Sequence, residues 1–458
     1  MKQMKQSRRD FIRNSGCALG AAALVSSLDR FGLVNAMTPQ SADYKALVCI
    51  FLYGGNDGNN TVIPYDGYAA YNAVRGTTAA LNIPKADLLQ ISPPSAGATF
   101  GLHPSLDELQ TLFTQGKLAV MCNVGTLTQP LTKTQYQSGA GRPESLFSHS
   151  DQQEQWQSSL SADAGQTTFT GWGGRLADNT TSLNGSSTFP MIVSTAGITL
   201  FTTGVNARPL VPSNGLAGFN NSAASTARYN ALRQILTLNA NETLVHSAGD
   251  IMASAIDNTN TLNQALSGSA ALKTVFPTTS LGNQMKQIAQ TIGVRNTLGV
   301  KRQIFFASLG GFDTHSNQFG SQGSPAVGGL LQQVSQAMKA FYDATVELGV
   351  AQQVTTFTLS DFGRTFQPAS GGGSDHAWGN HHFIMGGAVR GGDFYGHFPT
   401  LALGGPDDPS DEGRWIPTTS VDQYGATLAQ WYGLSSASIS TVFPNIGRFS
   451  TSDLGFLM

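Results

Sequence analysis

Apolar residues fall into two kinds of run along this chain. The first kind is short and continuous: Ala46–Tyr53, Leu118–Asn123, Phe189–Ser194, Gln303–Ser308 and Val354–Leu359. Such runs, bounded by glycine and polar residues, predict strands buried on both faces. A further strand begins at Phe383–Met385 and stops at Gly386-Gly387. In the second kind, apolar positions recur at helical spacing. They do so over Tyr68–Arg75, Ser105–Gln115, Pro143–Ser159, Ala326–Leu348 and Val421–Tyr432, and over most of 223–296 with a break around Pro277. Strands alternating with helices predict an α/β fold, a mainly parallel sheet sandwiched by helices. We read 37–458 as one domain, with a helical insertion at 223–296 and surface loops at 179–187 and 203–222.

Composition narrows the class. Of 458 residues, 40% are apolar and only 12% charged, and the formal net charge is −2. No basic excess is available to hold a phosphate backbone, which argues against nucleic acid as a partner. The body of the chain has no apolar run of about 18–20 residues, so no integral membrane segment is expected.

The first 36 residues read as an address. Arg8-Arg9 followed by Phe11-Ile12, an apolar stretch from Cys17 to Leu28, and Val34-Asn35-Ala36 appear in that order. This is the layout of a secretory signal with a small-residue cleavage site, and the paired arginines mark the twin-arginine route. The Tat translocon is then a partner during export, and the mature protein is periplasmic or secreted. Cleavage after Ala36 would remove six positive and two negative side chains, moving the net charge from −2 to −6. Cys49 and Cys122 remain, as two buried thiols or as a disulfide formed in an oxidising compartment.

In open parallel sheets, ligands bind outside the carboxyl ends of the strands. Here those ends carry Asp57 in Gly54-Gly55-Asn56-Asp57-Gly58, Asp313 and His315 in Gly311-Phe312-Asp313-Thr314-His315, and Asp361 in Ser360-Asp361-Phe362-Gly363-Arg364. A fourth group is Asp375, His376, His381 and His382; five of the eight histidines fall between 315 and 397. Carboxylates and neutral imidazoles gathered this way suit one or two divalent cations, with zinc, manganese and calcium as the candidates. Two such ions can hold the attacking and leaving oxygens of a phosphoryl or sulfuryl transfer. Ser148 and Ser150, in Phe147-Ser148-His149-Ser150-Asp151, are either nucleophiles or helix-capping residues. Arg364 either holds an anionic oxygen or pairs with a structural acid.

These motifs, in this order, resemble domain-of-unknown-function family 1501, a group of often Tat-exported bacterial proteins in the alkaline phosphatase/sulfatase superfamily. The resemblance spans the mature chain and rests on Phe51–Gly58, Gly311–His315, Leu359–Arg364 and Ser374–Gly379. It implies an alkaline phosphatase-like fold. It also implies that Asp57 and Asp361 hold one metal and that Asp313, His315 and His376 hold the other. Phe362 stands where the superfamily often has a further ligand, which Asp375, His381 or His382 would replace. The sulfatase nucleophile motif is absent. The activity implied is hydrolysis of a phosphate or sulfate ester, the partner being an anionic ester. The alternative is a catalytically degenerate envelope protein that binds a partner or glycan.

Overall fold

The computed structural model describes residues 43–77, 81–160, 169–212, 222–237, 243–320 and 326–458. The N-terminal segment read as a signal lies outside them. The central sheet contains β1 (Lys45–Leu52), β2 (Leu118–Gly125), β3 (Ile192–Ser194), β4 (Arg302–Leu309), β5 (Val354–Ser360), β6 (Asn380–Gly386), β7 (Phe394–Gly396) and β8 (Thr419–Ser420). Its order is β7-β2-β6-β5-β1-β4-β3, with β8 beside β2. Strand β1 sits mid-sheet, parallel to β4 and β5, with Cys49 level with Phe306 on one side and Phe357 on the other. Only β6 runs against its neighbours; it is antiparallel to both β2 and β5. The fold is therefore α/β with a mainly parallel sheet.

Side chains alternate across the pleat, so each strand feeds two cores. Ala46, Val48, Ile50 and Leu52 of β1 join the layer packed by α2 (Asp107–Thr114), α7 (Ser280–Gly293) and α8 (Val327–Glu347). Leu47, Cys49 and Phe51 join the opposite layer, packed by α3 (His149–Ser158), α4 (Trp172–Thr180) and α9 (Val421–Tyr432). Continuous hydrophobicity in β1 is thus what two covered faces require. Cys49 and Cys122 are both buried free thiols on opposite faces of the sheet, so they form no disulfide. The sheet itself keeps them apart.

Helix α1 (Tyr68–Arg75) follows the β1 loop, as its spacing predicts. Residues 223–293 contain α5 (Ala223–Leu236), α6 (Thr243–Ser267) and α7. The structure departs from the sequence reading at several places: α3 begins at His149 rather than Pro143, and β3 at Ile192 rather than Phe189. Helix α4 falls where the sequence predicts none, a small antiparallel sheet joins 62–64, 89–91 and 100–102, and β6 starts three residues before Phe383. Among the described residues, no helix is long and apolar enough to cross a membrane.

Candidate metal centre

Because β1, β4 and β5 are parallel, the loops after all three leave the sheet at one end. Strand β6, running backwards, begins at that end, and the loop from β5 to β6 therefore stays there. Two glycines let these loops close together. Gly54 (φ 113°) and Gly55 (φ 83°) sit in the region that L residues avoid. A methyl on Gly54 would overlap the backbone of Phe312 and Asp313, and one on Gly55 would meet the ring of Phe362.

Asp313 lies at the centre. Its Oδ1 is 3.2 Å from His315 Nε2 and 3.3 Å from His376 Nε2, and those two nitrogens are 2.8 Å apart. Its Oδ2 is 3.4 Å from His149 Nε2. Each of the three imidazoles is fixed from behind through its other nitrogen. His315 Nδ1 lies 2.8 Å from Asp375 Oδ1, His149 Nδ1 lies 2.6 Å from Asp361 Oδ2, and His376 Nδ1 lies 2.7 Å from the carbonyl of Phe147. Carboxylate and carbonyl oxygens accept, so each Nδ1 carries the proton and each Nε2 is turned toward Asp313. Helix α3 supplies His149 from its first residue, directly after Ser148.

The electrostatics suit a cation. Burial alone would raise the carboxyl of Asp313, but the Arg364 guanidinium, with His376 and His149, outweighs it and holds that carboxyl below its ordinary range. Burial, helped by Arg364 and His149 and opposed by the Phe147 carbonyl, pushes His376 down. An ionised carboxylate thus faces a neutral imidazole, which is the protonation state a metal needs. Tetrahedral bonds of about 2.0–2.1 Å place neighbouring ligand atoms about 3.3 Å apart, close to the edges of the Asp313–His315–His376 triangle. His149 Nε2 is a buried nitrogen without a hydrogen-bond partner. Three ring nitrogens crowded around one carboxylate, with one of them orphaned, are what a bound cation would reconcile. His149, Asp313 and His376 each offer a ligand atom within 4.8 Å of the others. The donor set therefore fits a divalent cation.

The remaining candidates divide. Asp361 and Asp375 come to the cluster, but as the carboxylates that orient His149 and His315. Asp57 does not join: it is fully buried, its carboxylate gripped by Arg75 at 2.5 and 3.0 Å and by Gln318 Nε2 at 2.6 Å. His381 and His382 point into the sheet. His381 accepts from the Asn123 amide and stacks on Phe398, while His382 packs against Trp156 and Tyr424. Alternation along β6 sends neighbouring side chains to opposite cores, which is why neither reaches the centre. Arg364 is also committed. Its guanidinium donates to the carbonyls of Gly55 (3.0 Å), Ser374 (2.8 Å), Gly54 (2.5 Å) and Phe312 (3.1 Å) and to Asp313 Oδ1 (2.5 Å). With its side chain fully buried, it positions Asp313 rather than reaching toward a ligand.

Ser148 Oγ donates to Asp151 Oδ2, and Ser150 Oγ lies 3.1 Å from Ser148 Oγ. The residues on either side of Ser148 both touch the cluster: Phe147 through its carbonyl and His149 through its ring. Beside them opens a cavity of about 560 Å³, lined in part by Tyr136, Arg142, Glu144, Phe147 and Ser148. Sequence reasoning missed His149. The signal was an imidazole between two hydroxyl residues at a helix start, in a segment noticed only for its serines.

The sequence profile described as Protein of unknown function (DUF1501) matches residues 44–411. The chain belongs to this family. No curated protein sequence matches it. Among solved structures, it is similar to the PsFucS1 sulfatase of Pseudoalteromonas sp. at 10% identity, over 90% of this chain and 72% of that one, with a TM-score of 0.35. It is similar to Ps i-CgsB in complex with k-i-k-neocarrahexaose at 9% identity, over 86% and 72%, with a TM-score of 0.32. It is also similar to the phosphonate monoester hydrolase of Agrobacterium radiobacter at 9% identity, over 86% and 74%, with a TM-score of 0.31.

Proposed function

We propose that this family member is a Tat-exported, metal-dependent hydrolase of phosphate or sulfate esters acting in the periplasm or outside the cell. The observation that carries the reading is the convergence of three backed imidazoles on one ionised carboxylate. When bound, a divalent cation supplies Lewis-acid stabilisation of negative oxygen. Asp313, His315 and His376 would hold it, with His149 as the fourth donor. A donor set richer in nitrogen than oxygen favours zinc over manganese or calcium. Asp375, Asp361 and the Phe147 carbonyl keep the imidazole tautomers fixed, and Arg364 keeps Asp313 ionised and in place.

Ser148 is the better of the two nucleophile candidates. Both hydroxyls donate to Asp151 Oδ2, Ser148 at closer range and Ser150 at 3.3 Å, so an acceptor is in position, and both chain neighbours of Ser148 are tied to the centre. The adjacent cavity falls within the range of small-ligand sites and has room for the organic part of an ester. The test is turnover of aryl phosphates, phosphodiesters and aryl sulfates by protein loaded with zinc, manganese or calcium. His376→Ala should abolish activity and Ser148→Ala should abolish a serine-dependent one. A reading as an envelope protein that binds a partner or glycan draws support from Arg364, whose buried guanidinium is fully engaged by the protein and has no reach toward an anion. Failure of the metal-loaded protein to turn over every ester would put that reading first.

A further inference from the structure

We infer that the centre takes a single divalent cation, because Arg75, Phe362 and their neighbours use up the groups a second one would need. This rests on the cation reading above. The carboxylates that the family resemblance assigns to a second ion are Asp57 and Asp361. A carboxylate has about four lone-pair sites, and Asp57 fills all of them. Oδ1 accepts from Arg75 Nη2 at 3.0 Å and the Asn59 amide at 3.1 Å; Oδ2 accepts from Arg75 Nη1 at 2.5 Å and Gln318 Nε2 at 2.6 Å. Arg75 is fully buried and also donates to the Thr365 carbonyl at 2.7 Å. A permanent cation therefore already neutralises Asp57, and a divalent ion would have to displace it and leave a buried guanidinium unpaired.

Asp361 is similarly engaged. Oδ1 accepts from the Gly54 amide at 3.2 Å, and Oδ2 from His149 Nδ1 at 2.6 Å and Gln153 Nε2 at 2.9 Å. The next residue, Phe362, is fully buried, with its ring 4.8 Å from that of His149 and 4.4 Å from that of His376. It offers no lone pair where it stands beside both imidazoles. The room for this ring is made by Gly55, since a Cβ there would lie 2.5 Å from it. Two elements thus close the ground together: a helix end bringing Arg75 and a loop bringing Phe362.

The experiment is metal counting on the full chain, by elemental analysis and native mass spectrometry after zinc loading and removal of excess ion. One zinc per chain is expected. Two would overturn the inference while leaving the cation reading intact; none at saturating zinc would overturn both. Asp57→Asn combined with Arg75→Met removes both buried charges together and should still bind one zinc, with affinity within about threefold of the parent, whereas losing a true ligand costs far more. Loss of the zinc in that folded variant would make Asp57 a ligand and refute the inference. Asp313→Asn should lose the zinc; if it binds normally, the cation reading fails instead. Should the paired variant not fold, the count on the parent protein still decides.

Discussion

Replacing His382 by Phe tests the placement of β6 through acid stability. His382 is buried against Trp156 and Tyr424, and its Nε2 has no hydrogen-bond partner. Burial, with His381 adding to it, pushes its imidazole down to about 3 from an ordinary 6.5. The folded pKa is depressed, so between these values the unfolded chain binds the proton and the folded chain does not. Stability is therefore full above pH 6.5 and is lost as pH falls toward 3. From pH 7.5 to pH 5 the loss is about 1.5 pH units at 1.36 kcal/mol each, or about 2 kcal/mol for this residue. Phe is close in size and fills the same aromatic pocket without a titrating group. Urea unfolding, followed by tryptophan fluorescence at both pH values, should show wild type losing about 2 kcal/mol more than His382→Phe. Contributions from groups that do not interact with His382 cancel in this difference. Equal losses in the two proteins would refute the reasoning and return His382 to a hydrated or ligand-facing position.

Asp375→Ala should weaken zinc binding about 10–100-fold in a calorimetric titration, because His315 loses the acceptor that fixes its tautomer; unchanged affinity would remove Asp375 from that role. Burial is the chief cause that raises the Asp422 carboxyl to about 7, against the Asn445 amide and Arg175. A raised acid loses stability as pH rises through its folded pKa, so between pH 5 and 8 wild type should fall roughly 2–3 kcal/mol relative to Asp422→Asn in urea unfolding, and parallel curves would contradict this. Changing both Arg8 and Arg9 to Lys should leave precursor in the cytoplasm on fractionation, and the exported protein should start near Met37; an exported chain still beginning at Met1 would overturn the signal assignment.

Much of the sheet was legible because burial on both faces writes itself as uninterrupted hydrophobicity. Strands β1, β4 and β5 lie within a residue or two of their apolar runs, and α1 and α9 start and stop where the spacing does. The sense of β6 was not legible, since side-chain period is the same in either direction. Helix α4 was missed because Gly173 and Gly174 lower its propensity; Phe201 and Thr203 pack against those glycines, so tertiary contact overrides the local preference. At the centre, Asp313, His315 and His376 announced themselves by position after strands and in loops. Asp57 had the same appearance, and nothing in its neighbourhood along the chain reveals that Arg75 arrives eighteen residues later at a helix end to occupy it. His381 and His382 looked like part of a histidine cluster, but they already belong to a strand, where adjacency in sequence means opposition in space.

The reversed direction of β6 has a consequence for how this protein can change. The chain leaves the sheet at Ser360 and re-enters it on the adjacent ladder at Asn380, so residues 361–379 hang from two feet set side by side. Asp361, Arg364, Asp375 and His376 all ride on that span. The span is also packed: Phe362, Phe366 and Trp378 are buried, and a β-bridge ties Arg364 to His376. Architecture and chemistry therefore share one span here. A change that moves a group of the centre also moves a buried side chain, so the centre and the packing beneath it alter together.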